Sequence, residues 1–291
     1  VVSIRRYPQR LRLTLGLDVL RRIFSYSAYQ FLFNIINYFS RNLDKLLIGK
    51  YMGMSPLGYY EKSYRLMMLP VMHPIFSEYQ NDLERLASGY ERIVRFLAFI
   101  GLPLSVLLYF TAGEVTLILF GDQWMPSIPI FRILTLSVGI QIVLSSSGSI
   151  FQAAGDTKSL FVCGLFSSVL NVAGILLGIF RIGTLQAVAT CITLTFTVNF
   201  VQCYWMMYRV TLHRSLRHFA VQLVSPLAVS VLLIAVLYPL SLLTEGGNIF
   251  LTLIVKSIIF FCIFGCYIQL TGEYDIIGKA KGILNKRKSR G

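Results

Sequence analysis

Residues 25–51 read SYSAYQFLFNIINYFSRNLDKLLIGKY, and this stretch decides the fold class of the 291-residue chain. It is long enough to cross a bilayer, which requires about 20 mostly apolar residues. On a helix, its polar side chains fall within a stripe about 100° wide. The stripe consists of Ser27, Gln30, Asn34, Asn37, Arg41, Asp44 and Lys45. Because a charge at mid-bilayer costs at least about 2.5–3.5 kcal/mol, these side chains should face protein or a watery cavity.

The chain as a whole is apolar, with 55% hydrophobic residues, 14% charged residues and a mean hydropathy of +0.67. A soluble domain carries roughly a quarter charged residues, so there are too few charges here to cover a water-exposed surface. Apolar runs separated by glycine-containing turns predict an all-α membrane protein of about eight transmembrane helices. Their predicted ranges are 23–49, 56–78, 90–111, 128–153, 158–180, 184–208, 219–243 and 248–271.

Basic residues predict the orientation of these helices. With the first residues inside, eight crossings place 19 Lys and Arg in the inner segments and only Lys50 and Arg181 outside. Cytoplasmic loops are enriched in Lys and Arg, so both ends of the chain are predicted to be cytoplasmic. The net charge of +14 is thus a topology signal and does not predict nucleic-acid binding. Tyr204, Trp205 and Tyr208 are predicted to anchor one helix end at the headgroup level.

A second polar face occurs in the predicted helix 128–153. Ser137, Gln141, Ser145, Ser149 and Gln152 occupy about 120° of the helical wheel. A third, weaker face joins Gln186 with three threonines, whose hydroxyls can bond to carbonyls of their own helix.

Two interpretations of the charged residues stay open. Arg41 and Asp44 could form an ion pair that joins two helices, or the stripe could line a hydrophilic pathway. The amides Asn34 and Asn37 favour the pathway, because an ion pair alone does not require them. Glu61, Lys62 and Arg65 either extend this lining or lie at the outer interface of the membrane.

No pattern in the sequence predicts catalysis. The three histidines lack metal-site spacing, the five cysteines lie within apolar runs, and no glycine-rich phosphate loop precedes a helix. The sequence therefore favours a transporter over a membrane enzyme, without a metal or another cofactor.

Three motifs resemble the bacterial oligosaccharide flippases of the multidrug/oligosaccharidyl-lipid/polysaccharide exporter superfamily. They are NYFSRNLDKLLIGKYMGMSPLGYYEKSYRLMMLP (37–70), FGDQWMPSIPIFRILTLSVGIQIVLSSSGSIFQAAGDTKSLF (120–161) and NFVQ (199–202). The first two extend through loops as well as apolar runs, which makes them specific. The resemblance is strongest over residues 20–210.

The resemblance implies a two-lobed fold in which residues 23–209 form the second six-helix lobe and residues 210–271 an additional helix pair. A basic amphipathic segment (1–22) and a basic tail (272–291) would flank them in the cytoplasm. The chain opens with Val1, and we expect the N-terminal lobe to be missing from it.

The family's activity implies that polyprenyl-diphosphate-linked oligosaccharide crosses the bacterial cytoplasmic membrane, for exopolysaccharide, capsule or O-antigen synthesis. Expected partners are this lipid, membrane lipids, the missing lobe and polysaccharide polymerase machinery. Arg41 and Lys45 would attract the diphosphate or an acidic sugar, and Asp44 would hold them or exchange a proton. The expected substrate-pathway residues are Asn34, Asn37, Arg41, Asp44, Lys45, Lys62, Arg65, Gln141, Ser145 and Gln152.

Other functions stay open, namely a drug/cation antiporter or lipid II flippase of the same superfamily, a membrane-embedded polysaccharide polymerase, and a non-functional fragment. One departure from the family concerns the second predicted helix, whose uninterrupted apolar core (66–76) has only 11 residues. A deletion or a re-entrant helix would explain it.

Overall fold

The computed structural model describes residues 17–67 and 83–272, and the regular secondary structure in these ranges is helical. The helices are α1 (Leu17–Tyr51), α2 (Met54–Met67), α3 (Leu83–Phe110), α4 (Ala112–Phe120), a 3-10 helix (Asp122–Ser127), α5 (Ile128–Thr135), α6 (Val138–Leu144), α7 (Ser147–Ala153), α8 (Thr157–Leu177), α9 (Leu185–Met206), α10 (Leu216–Leu243) and α11 (Ile249–Thr271). Single π-helical turns follow α8 and α9. The predicted all-α membrane fold is confirmed.

Within the described ranges, five helical stretches are long and apolar enough to cross a membrane. They are Leu86–Phe110, Thr157–Ile182, Leu185–Thr211, Leu216–Leu243 and Ile249–Thr271, and a bent pair of segments gives a sixth. The 35-residue helix α1 is long enough but does not meet the same apolarity criterion, since its polar stripe lowers its hydropathy. The second predicted span extends beyond α2 into residues outside the described ranges. The deletion or re-entrant helix expected there also lies outside them. The count of eight crossings therefore stays a prediction.

The predicted helix 128–153 is not continuous. It is broken at residues 136–137 and again at 145–146, and the segments Asp122–Thr135 and Val138–Ala153 form an angle of 48°. Serine hydroxyls compete with the helical backbone here, because Ser137, Ser145 and Ser146 each donate to the carbonyl three residues earlier at 2.7 Å. At the first break, the N–H of Gly139 donates to Ser105 Oγ of α3 at 2.6 Å. A neighbouring helix thus satisfies a backbone group at the bend.

Glycines permit the closest helix contacts. A Cβ atom on Gly178 would lie 2.7 Å from Val188 Cα, so the backbones of the turn after α8 and of α9 nearly touch. Gly174, four residues earlier, faces Thr195 at a similar distance. The GxxxG pair in the sequence therefore supports packing between two helices.

The buried aromatic side chains join α9 to α3 and α10. The Tyr204 ring stacks on Phe219 of α10 with a centroid distance of 4.0 Å, and its hydroxyl lies 2.9 Å from that of Tyr90 of α3. Tyr204 and Tyr208 are fully buried in this core, which contradicts their prediction as headgroup anchors. Only Trp205, which is 52% exposed, can reach lipid.

Gly139→Ala should destabilise the protein by about 1–3 kcal/mol, the usual cost of overpacking. Its new Cβ would meet the Gly101 carbonyl oxygen at 2.8 Å, where backbone cannot easily move. Thermal unfolding in detergent measures the effect. Gly148→Ala is the matched control, because no atom lies within 4 Å of its Cβ position. Equal melting temperatures for both variants would show that the contact of α3 with α6 is not tight.

Candidate functional site

The polar stripe of α1 divides into two parts that face different neighbours. Asp44 is only 3% exposed and lies against α2, whereas Asn34 is exposed and Asn37 half-buried. The side chain of Arg41 lies outside what the structure describes. Its expected pairing with Asp44 and its expected role at the substrate therefore stay predictions.

The Asp44 carboxylate joins the two helices of the first hairpin. Tyr60 of α2 donates its hydroxyl to Asp44 Oδ2 at 2.6 Å, and the backbone N–H of Lys45 donates to Oδ1 at 2.8 Å. Tyr60 is completely buried. A buried carboxylate requires such donors, because its charge loses the solvation of water. Asp44 therefore joins the two helices through a hydrogen bond to a tyrosine, whereas the expected ion pair with Arg41 stays a prediction.

Lys45 and Arg65 share one acidic partner. Lys45 Nζ lies 3.5 Å from Glu61 Oε1, and Arg65 Nη2 lies 3.4 Å from the same oxygen. The side chains of Lys45 and Glu61 are about one-third exposed, and that of Arg65 is 72% exposed. Exposed ion pairs contribute little to stability. These cations therefore remain accessible to another anion.

Lys62 is held differently, by aromatic rings. Its ammonium lies 4.8 Å from the ring centroid of Phe120 and 5.2 Å from that of Trp124, which are cation–π distances. The Trp124 ring also meets Tyr59 edge to face, at 5.8 Å between centroids. These contacts attach α2 to the segment that precedes α5.

Among the described residues, the second predicted polar face hydrogen-bonds to α1 through Gln152. Gln152 of α7 donates to Gln30 Oε1 at 3.2 Å, and Gln30 donates to Asn34 Oδ1 at 3.3 Å. These three residues form a continuous chain of amides, which we call the amide chain. Gln141 instead donates to Ser137 Oγ and Met67 Sδ, and Ser145 to the Ile142 carbonyl. Ser145 therefore bonds within its own segment, and Gln141 also contacts α2. Among the described residues, neither side chain hydrogen-bonds to the stripe.

In the third polar face, two threonine hydroxyls bond to carbonyls of their own helix, as the sequence allows. Thr190 and Thr197 donate to the carbonyls four residues earlier, at 2.8 and 3.0 Å. Thr193 differs, since it reaches the Ile133 carbonyl of α5 at 3.2 Å. This threonine contributes to packing between helices.

The sequence interpretation missed two ion pairs. Lys256 of α11 binds Glu114 of α4, and Arg214 binds Glu91 of α3 at 3.2 Å. Lys256 could have been identified as the one charge in an otherwise apolar span, which calls for a partner. Nothing in the local sequence identifies Glu114 as that partner. In the described part of the chain, no three His, Cys, Asp or Glu residues are grouped to hold a metal ion.

Tyr60→Phe should destabilise the protein by about 1.5–3 kcal/mol, since it removes a hydrogen bond to a buried charged group. The ring is kept, so packing changes little. The melting temperature in detergent is the measurement, and Tyr59→Phe on the half-buried side of α2 is the control. A Tyr60→Phe protein as stable as the wild type would mean that the Asp44 contact does not stabilise the hairpin.

Known proteins resemble both the sequence and the fold. Residues 1–129 match the family model described as polysaccharide biosynthesis protein. The teichuronic acid biosynthesis protein TuaB of Bacillus subtilis is 25% identical over 65% of this chain and 41% of its own length. The lipopolysaccharide biosynthesis protein WzxC of Escherichia coli is 25% identical over 73% of this chain and 45% of its own.

A third sequence relative and one solved structure are also similar to this chain. The succinoglycan biosynthesis transport protein ExoT of Rhizobium meliloti is 23% identical over 71% of this chain and 43% of its own length. The chain thus spans less than half the length of these curated relatives. Among solved structures, the lipid II flippase MurJ in an inward closed conformation superposes with a TM-score of 0.69 at 12% identity, covering 93% of this chain and 58% of that one. This likeness shows the flippase fold.

Proposed function

We propose that this multi-span membrane chain is part of a flippase for lipid-linked oligosaccharide. The match of residues 1–129 to the polysaccharide biosynthesis protein family and the similarity to WzxC and MurJ support this proposal. The transported molecule would be a polyprenyl-diphosphate-linked oligosaccharide used for exopolysaccharide, capsule or O-antigen synthesis. The observation that carries the proposal is the polar face of α1, on which the exposed amide chain and the partly exposed Lys45 lie.

The chemistry of such a lipid matches this face. Its sugars require hydrogen-bonding groups in place of water, which the amides of Gln30, Asn34 and Gln152 offer. Its diphosphate requires cations, for which Lys45 and Arg41 are the candidates. The polyprenyl tail can remain in the lipid bilayer throughout. Asn37, Lys62, Arg65, Gln141 and Ser145 remain proposed pathway residues, although Ser145 bonds locally here and Gln141 bonds to Ser137 and Met67.

The domain division is part of the same proposal. We propose a lobe formed by residues 23–209 and an additional pair formed by residues 210–271, although the two clusters of buried apolar side chains cross this division. Phe219 of the pair belongs to the first cluster, and Phe99 of the lobe to the second. The second cluster lies where α10 and α11 pack against α3. We propose that an N-terminal lobe of the same protein completes the pathway, in the bacterial cytoplasmic membrane, with both ends of this chain in the cytoplasm. Membrane lipids and polymerase machinery are its proposed partners.

A lipid II flippase is the second candidate, favoured by the likeness to MurJ. At 12% identity that likeness concerns the fold, whereas the named sequence relatives concern teichuronic acid, lipopolysaccharide and succinoglycan. These names favour surface polysaccharide over lipid II. One of them denotes a transport protein, which favours transport over a polymerase.

The test uses a flippase-deficient strain complemented with the full-length protein that contains this chain. Lys45→Ala and Arg41→Ala should each lower the rate of polymer export by roughly tenfold, because a hydrogen bond to a charged group contributes about 1.5–3 kcal/mol. The matched control is Lys50→Ala, five residues from Lys45 at the exposed end of α1. Membrane levels of each variant are compared by immunoblotting. Normal export by both variants would remove these cations from the pathway.

A further inference from the structure

Lys256 is the eighth residue of the last apolar helix, which begins at Ile249, and it is only 5% exposed. Its ammonium donates to two oxygens at the junction between α3 and α4. These are Glu114 Oε1 at 2.5 Å and the carbonyl oxygen of Phe110 at 2.9 Å. The Glu114 side chain is itself only 14% exposed.

The Lys256 ammonium, the Glu114 carboxylate and the Phe110 carbonyl each require a polar partner within the protein. A lysine within a transmembrane helix is costly unless it is paired, and an unpaired carboxylate would be equally costly. Phe110 is the last residue of α3, and terminal carbonyls of a helix lack partners within it. The junction therefore presents two oxygens to one ammonium.

Toward α10, the Tyr267 hydroxyl of α11 makes a polar contact, lying 3.1 Å from Ser225 Oγ. The remaining contacts of α11 with α3 in the described residues are apolar. They involve Phe260 and Ile268 of α11, packed in one cluster with Phe99 and Val106 of α3. Apolar contacts alone give weak positional preference in a bilayer, because lipid tails are as apolar as the side chains. A buried polar contact, by contrast, is satisfied at one depth and one rotation of the helix.

We propose that Glu114 and the Phe110 carbonyl form an ammonium-binding site, occupied by Lys256, that docks the last helix on the rest of the bundle. Lys256 and Glu114 are positioning residues in this proposal. The inference does not depend on what the protein transports, and stability measurements test it without any export assay.

The first experiment measures melting temperatures of the full chain purified in detergent. Glu114→Gln and Lys256→Met should each lower the melting temperature by about 5 °C or more, since each leaves a buried charge without its partner. The double variant Glu114→Met/Lys256→Met should return to within about 2 °C of the wild type, because packed apolar side chains replace a buried ion pair well. Gln269→Met, at an exposed position of the same helix, is the control.

The second experiment asks whether the site binds an ammonium as such. Lys256→Ala should regain at least about half of its lost melting temperature in ethylammonium chloride and none in tetramethylammonium chloride, which cannot donate hydrogen bonds. Glu114→Gln/Lys256→Ala should gain from neither salt. Wild-type stability of the single variants would overturn the proposal. So would a double methionine variant as unstable as either single one, or the same response of Lys256→Ala to both salts.

Discussion

The hydrocarbon of a membrane offers no hydrogen bonds, so each polar group within it must find its partner in the protein. The interaction that shows this best is the 2.6 Å hydrogen bond from Tyr60 to Asp44. It joins α1 to α2 and makes a charged residue compatible with an apolar bundle. Lys45, the residue after Asp44, lies 3.5 Å from Glu61, the residue after Tyr60.

The same requirement explains the broken helix between residues 128 and 153. Serine hydroxyls at both breaks bond to carbonyls of the preceding turn, and Ser105 of α3 accepts the N–H of Gly139. The close approach of Gly101 and Gly139 brings this hydroxyl within reach. A bend in the middle of the bundle is thus stabilised by a neighbouring helix and not by the sequence of the bent helix alone.

Hydropathy predicted the long apolar helices, because length and apolarity are properties of each segment by itself. It did not predict the breaks near Ser137 and Ser145, since a serine in a helix can also leave its backbone undisturbed. The hydrogen bond from Tyr60 to Asp44 was also missed, since Tyr60 becomes near only when the hairpin forms. Glu114 and Lys256 are 142 residues apart, so their pairing depends on how α11 packs. Of the candidate site, the stripe on α1 followed from helical periodicity, but its contact with Gln152 required the tertiary structure.

The ion pairs of Lys256 with Glu114 and of Lys45 with Glu61 differ in distance and in exposure to solvent, so the first is a fixed contact and the second can exchange its partner. Lys256 lies 2.5 Å from its carboxylate and its side chain is 6% exposed, whereas Lys45 lies 3.5 Å from Glu61 with a side chain that is 34% exposed. Separating the buried pair would leave two charges in an apolar environment, at a cost of several kcal/mol per ion. Water can solvate Lys45 and Glu61 when they part, so the cost there is small. An anionic ligand could therefore displace Glu61 from Lys45, but could not compete for Lys256 without undocking a helix.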